Sequence, residues 1–166
     1  MSIQKSFLSP LGFQLAIQKL PNTILNVTSV VLPGITIEDN EIQTPFKAIK
    51  YPDKVVYNDL VIRFKVDEDM ANYREIFDWM VNIGRPEEFG RPNPNPIFQR
   101  DQYSDYVSDG TLLILNSVNK NNIEVRFKDL FPTSINDLEF TSQDNDVNYL
   151  DATVNFKCLS FTIHLV

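Results

Sequence analysis

The stretch Asp151–Val166, DATVNFKCLSFTIHLV, decides the fold class. Ala152, Val154, Phe156 and Cys158 are apolar and alternate with Asp151, Thr153, Asn155 and Lys157. From Leu159 the apolar set is Leu159, Phe161, Ile163 and Leu165, with Ser160, Thr162 and His164 between. Alternation with period two marks a half-buried strand. The phase slips by one residue at Cys158-Leu159, which exchanges the two faces, so a bulge or a strand passing from one sheet to another is expected there. This suits a two-sheet β structure and not the uniformly apolar strands of a parallel α/β sheet.

Working outward, Leu60, Ile62, Phe64 and Val66 alternate with Asp59, Val61, Arg63 and Lys65. Ile123, Val125 and Phe127 alternate with Glu124, Arg126 and Lys128, after an Asn-rich turn that pairs them with Thr111–Val118 as a hairpin. Strands are also read at Gly12–Leu20 and Ile24–Leu32, the second closed by Pro33-Gly34 as a type II turn. Short extended pieces follow at Ile35–Ile37 and Ile42–Ile49, then a turn at Tyr51–Lys54. Phe131-Pro132 reads as a strand break, and Leu138–Thr141 as a short strand.

One helix is expected, over Met70–Ile83, with Asp67-Glu68-Asp69 as its N-cap and Gly84 as its stop. Phe77 continues the row of Tyr73 and Met80. It is therefore assigned to the core, which leaves Trp79 for a neighbour. Residues 85–109 form a long irregular segment with Phe89, Pro92, Pro94, Pro96, Phe98, Tyr103 and Tyr106. A loop of this length is functional or disordered as a rule, and both a docking arm and a loop folded over its own core fit its aromatics.

The chain has 166 residues, suits a single domain over 1–166, and can bury a core without staples. Its formal net charge is −7, with no basic stripe beyond the sparse Lys47, Lys50 and Lys54, which argues against a nucleic-acid reader. One cysteine, Cys158, rules out an internal disulfide. No apolar stretch approaches the ~20 residues of a membrane helix, and Met1–Pro10 lacks a signal-peptide core, so a soluble protein made in a cytosol is expected.

No catalytic constellation stands out. The single histidine, His164, lies on a polar strand face, and no nucleophile elbow, phosphate-binding loop or dinucleotide fingerprint occurs. Asp144-Asn145-Asp146 lacks the glycine and terminal glutamate of a calcium loop. The expectation is a non-enzyme with no metal and no cofactor.

The order of elements resembles the tail tube proteins of contractile-tailed bacteriophages, including the tube initiators at the baseplate. The resemblance rests on the Gly12–Leu20 strand, on VTSVVLPGI at 27–35, on DLVIRFKV at 59–66 running into acids, on Phe77-Asp78-Trp79, and on DLFPTSI at 129–135. The segment 85–109 departs from that pattern. The resemblance implies a mainly β fold: two packed antiparallel sheets, as a sandwich or barrel, with one flanking helix and the Pro-rich loop. It implies six subunits per ring and inner sheets joined edge to edge. The rings would stack into a tube that conducts DNA during ejection; type VI secretion tube proteins share the fold. Partners would be further copies, the sheath, and baseplate or neck proteins, in a virion assembled in the host cytoplasm. DNA would only pass through. An adaptor ring at the baseplate or neck, and a monomeric β-sandwich binding module, are the alternatives.

Polar strand faces are the candidates for a lumen wall. They are Asp59, Arg63 and Lys65; Glu124, Arg126 and Lys128; and Asp151, Thr153, Asn155 and Lys157. An acidic wall repels phosphates, and loop acids Glu38, Asp39 and Glu41 are expected to add to it.

Overall fold

The computed structural model describes residues 8, 10–84, 106–117, 120–141 and 149–165. Most of the 85–109 segment, including Phe89, Pro92, Pro94, Pro96, Phe98 and Tyr103, lies outside the described residues, and so does the turn at 142–148.

Nine strands are described: β1 Phe13–Ile17, β2 Val27–Val31, β3 Ile35–Gln43, β4 Ala48–Tyr57, β5 Leu60–Lys65, β6 Ser108–Leu115, β7 Asn121–Ile135, β8 Asp151–Lys157 and β9 Ser160–Leu165. One α-helix, α1, spans Ala71–Gly84, and a short 3-10 turn spans Thr23–Asn26. All pairings among the strands are antiparallel.

Seven of the strands form two sheets joined through β7, and β3 and β4 pair only with each other. In the first, β1 pairs β6, β6 pairs the first half of β7, and β9 pairs that half from the other side. In the second, β2 pairs β5, β5 pairs β8, and β8 pairs the last residues of β7. The inner faces meet in one core. Leu15, Ile17, Leu112, Val125 and Phe127 come from the first sheet, and Ile62, Phe64, Ala152, Val154 and Phe156 from the second.

The phase slip in the tail is the passage between sheets. β8 ends at Lys157 in the second sheet and β9 begins at Ser160 in the first. Its partner β7 makes the same passage at Asp129, a non-glycine residue with φ of 54°. The Leu159 amide donates to the Lys128 carbonyl at 3.0 Å and locks the two corners together. Beside the corner, a Cβ on Gly110 would lie 2.6 Å from Leu130 Cδ1, so a larger residue there would have to displace the Leu130 side chain.

Several expectations are corrected. Phe131-Pro132 does not end β7, which runs on to Ile135. Pro132 lies on the part of β7 that borders the second sheet, where a missing N–H costs no ladder bond. Tyr51–Lys54 is no turn: it lies inside β4, where Pro52 pairs with Asp39 and a register shift between Ile37 and Asp39 absorbs Asp53 and Lys54. β3 and β4 therefore make one long hairpin whose turn is at Thr44–Lys47, closed by the Thr44 amide donating to the Lys47 carbonyl. Gly34 stays out of the left-handed region, so Pro33-Gly34 is an extended connection and not a type II turn. Residues 138–141 carry no strand.

The helix is corrected in two respects. The acids at 67–69 do not cap it; they form a turn before it, in which Met70, with φ of 53°, donates its N–H to the Asp67 carbonyl. The Asp67 carboxylate instead accepts from Asn26 Nδ2. The assignment of Phe77 to the core is reversed: Phe77 is 51% exposed and Trp79 is 0% exposed. Trp79 tilts against Phe156, and its Nε1 donates to the Tyr106 carbonyl at 3.0 Å. The end of the irregular segment is thereby tied to the core, where Val107 is buried and Ser108 already begins β6.

Candidate functional site

The expected lumen residues fall on two different surfaces. Glu124, Arg126 and Lys128 lie on the outer face of the first sheet. Cross-strand register sets Gln14 beside Leu113, Leu113 beside Glu124, and Glu124 beside His164. A second row runs Ala16, Thr111, Arg126 and Thr162, and Lys128 faces Ser160. Two bonds of 2.8 and 2.9 Å join the Arg126 guanidinium to the Glu124 carboxylate. The Arg126 hydrogen bond holds Glu124 below the usual carboxylate range. Thr162 Oγ1 and His164 Nε2 are 3.0 Å apart, so the lone histidine is an exposed, hydrogen-bonded residue of this polar face.

Arg63, Lys65, Asp151, Thr153, Asn155 and Lys157 lie on the outer face of the second sheet. There Lys65 pairs with Asp151 at 2.9 Å, Arg63 stands opposite Thr153, and Asn155 donates to Ser134 Oγ at 3.0 Å. Asp59 belongs to neither face; it sits half-buried in the link before β5. Glu38, Asp39 and Glu41 are strand residues of the β3–β4 hairpin and not loop acids, and Glu38 and Asp39 are paired with Lys54 and Lys50.

The two sheets differ at their borders. β1 and β9 border the first sheet, and neither contains proline. On the core side of β9, Ile163 is 57% and Leu165 84% exposed, since none of the described elements covers that end. Beside β1 lies an open groove of about 380 Å³ lined by Phe13, Leu15, Val27 and Leu113 among others. The β7 border of the second sheet carries Pro132 and a bulge, both of which hinder further strand pairing. Sequence reasoning did not find this distinction. The exposed Ile163 and Leu165 were the only signal of it, but in sequence they read as core positions.

The β3–β4 hairpin projects from the end of the β2–β5 pair and is exposed along both strands except at its base, where Val56 and Tyr57 are half-buried and Tyr57 packs on Phe161. At the opposite end of that pair lie α1's first turn and Asp67–Asp69, with Asn136 and Leu150 bonded to Thr153 and Val66 there. Among the described residues no group of histidine, cysteine and acidic side chains forms a metal site, and no helix is long and apolar enough to cross a membrane. Cys158 is a free, half-buried thiol packed against the core, and burial raises its pKa.

Residues 11–164 match the family model of the phage tail tube protein, and the chain belongs to that family. No curated protein sequence gives a significant match. Among solved structures, the fold is similar to a chain of an extracellular contractile injection system in a PVC sheath-tube complex in the extended state. The TM-score is 0.66 and the identity 14%, over 98% of this chain and 95% of that one. It is also similar to a chain of the anti-feeding prophage cap, the AFP tube terminating cap, with TM-score 0.67 and 12% identity over 100% and 95%. A chain of the six-fold symmetrised AFP baseplate gives TM-score 0.58 at 11% identity over 99% and 97%. The mainly β, two-sheet architecture with one helix is thus that of contractile tail and injection-system tube proteins.

Proposed function

We propose that the chain is the structural subunit of a contractile-tail tube, closing into hexameric rings through the first sheet. The observation that carries this reading is the pair of free borders, β1 and β9. Going across the sheet, strand sense alternates β1, β6, β7, β9. With four alternating strands, a rotation that places β9 of one copy beside β1 of the next continues the antiparallel ladder. A contact of this head-to-tail kind closes when the rotation divides a circle, and closure removes exposed sheet edges. The apolar side chains of Ile163 and Leu165 then enter the groove lined by Phe13 and Val27 on the neighbour.

In that ring the outer face of the first sheet, with Gln14, Thr111, Glu124, Arg126, Lys128, Thr162 and His164, lines the lumen. The second-sheet face with Arg63, Lys65, Asp151, Thr153, Asn155 and Lys157 stays outside it. DNA passes along the lumen during ejection with no sequence-specific contact. The wall offers hydroxyls, an internally neutralised Glu124–Arg126 pair and the cation of Lys128. Sheath and baseplate or neck proteins are the outside partners, and the protein resides in the virion tail. The likeness of the fold to a chain from a sheath-tube complex supports this assignment.

Electron microscopy of the purified chain tests the reading: six-fold rings, alone or stacked, are expected. The double variant Ile163→Lys with Leu165→Lys changes two exposed positions, so it should melt like the parent yet remain monomeric. A parent protein that stays monomeric at all concentrations would leave the β-sandwich binding module as the better reading.

A further inference from the structure

We infer that His164, repeated once per subunit around the ring, forms a proton-controlled belt on the lumen wall that holds DNA phosphates in acid and lets them pass at neutral pH. The inference rests on the tube reading, which puts the outer face of the first sheet in the channel, and adds a switch acting on what passes.

His164 is the single histidine of the chain. Imidazole is the side chain whose ordinary titration changes a charge between pH 5 and 8. A change of wall charge over that range therefore falls at one position per subunit. The residue is exposed on β9, and cross-strand register places it directly opposite Glu124. Two bonds already tie Glu124 to Arg126, and that contact, with a smaller effect of His164 itself, holds the carboxyl below its ordinary range. Glu124 and Arg126 thus stay ionised and neutralise each other whether or not His164 carries a proton. The charge that His164 takes up in acid is a net addition to the wall.

The contacts around the imidazole suit a switch. His164 Nε2 and Thr162 Oγ1 are 3.0 Å apart. A hydroxyl donates to a neutral ring nitrogen and accepts from a protonated one, so this contact survives in both states. On the opposite face of β9, Tyr57 packs against Phe161, away from the imidazole.

Other charges of the face lie at a distance. Lys128, on β7, and Lys120, just before it, are each four residues from Glu124, about 13 Å along an extended strand. That exceeds the Debye length of ~8 Å at physiological salt. Asp109, on the same face of β6, lies at the bulge near Lys128, where its carboxylate accepts from the Asp129 amide at 3.2 Å. Toward β1 the row of His164 and Glu124 continues with Leu113 and Gln14, which carry no charge, and the other residue of β1 on this face is Ala16. Among the described residues, the wall at the level of His164 is therefore balanced until protons bind, and then positive all the way round. A positive belt in a confined channel concentrates its field on a passing polyanion, and salt screens it.

The test uses tubes assembled from the full chain, with a fluorescent DNA duplex of about 20 base pairs as probe, co-sedimented at low salt. For the parent, bound duplex should rise roughly tenfold between about pH 8 and about pH 5.5. His164→Gln keeps a hydrogen-bonding side chain beside Thr162 and cannot gain the charge, so it should bind weakly at both pH values. His164→Lys should bind strongly at both. A duplex capped at both ends with a protein wider than the channel should show no pH-dependent binding. Binding to parent tubes that ignores pH would overturn the belt while leaving the tube reading intact. A pH response that persists in His164→Gln, or with the capped duplex, would do the same. A parent protein that forms no rings at any concentration would overturn both.

Discussion

Trp79 and Phe156 pack with ring centroids 6.0 Å apart and planes tilted by 44°, which pins α1 to the inner face of the second sheet. Both rings are fully buried, and the indole N–H is satisfied by the Tyr106 carbonyl. Trp79→Ala should therefore cost ~3–5 kcal/mol through cavity formation and an orphaned carbonyl. Phe77→Ala, two residues earlier on the exposed side, should stay within about 0.5 kcal/mol of the parent. Chemical denaturation of the two variants checks the orientation directly.

The contrast shows what a sequence can carry. Phe77 and Trp79 both have helical-period apolar neighbours, and only the surface they meet separates them. The tail was legible because a phase slip of period two is a local signal: Cys158-Leu159 sits between β8 and β9. Pro52 and Pro132 mislead for the opposite reason. Proline is compatible with a strand at a bulge or a border, and bordering is a tertiary property. The three polar rows are polar faces in the structure too, but Glu124 and Arg63 belong to different sheets. Nothing within a single strand records which sheet it joins.

Asn72 is a buried polar residue whose side-chain oxygen and nitrogen are both hydrogen-bonded. Its Nδ2 donates to the Lys65 carbonyl at 2.7 Å, and its Oδ1 accepts from the Asp67 and Tyr73 amides at 3.2 and 2.8 Å. It thus joins the end of β5 to the start of α1. Asn72→Ala should cost about 1–3 kcal/mol for each group left unsatisfied. Asn72→Asp should not rescue, since a carboxylate cannot donate to the Lys65 carbonyl. Melting curves of both variants, read against the parent, test this.

Glu75 gives a pH dependence. Burial raises its carboxyl pKa above the ordinary value, and hydrogen bonds from Thr23 oppose the rise without cancelling it. The folded state therefore holds the proton more tightly than the unfolded chain. This contribution to stability is greatest at low pH and is lost as pH rises through the raised pKa. Glu75→Gln keeps an oxygen for the Thr23 donors and removes the charge. It should be more stable than the parent at neutral pH, with the difference vanishing below the ordinary carboxylate range. A melting-temperature series from acid to neutral pH reads the sign.

The choice of lumen face can be tested without a map. In a ring closed through β9 and β1, Thr162 on the first sheet faces the channel, whereas Arg63 on the second sheet does not. Both are exposed in the isolated chain, so single cysteines there, in a Cys158→Ser background, should react equally with any maleimide before assembly. After assembly into long tubes, Thr162→Cys should still react with a small maleimide but be shielded from one carrying a large polymer, which cannot enter the channel. Arg63→Cys lies outside the channel and should not share that size selection. The reverse pattern would assign the lumen to the second sheet, with Arg63, Lys65 and Asp151 as its wall. The Pro132 border of β7 would then have to support ring closure despite its missing N–H.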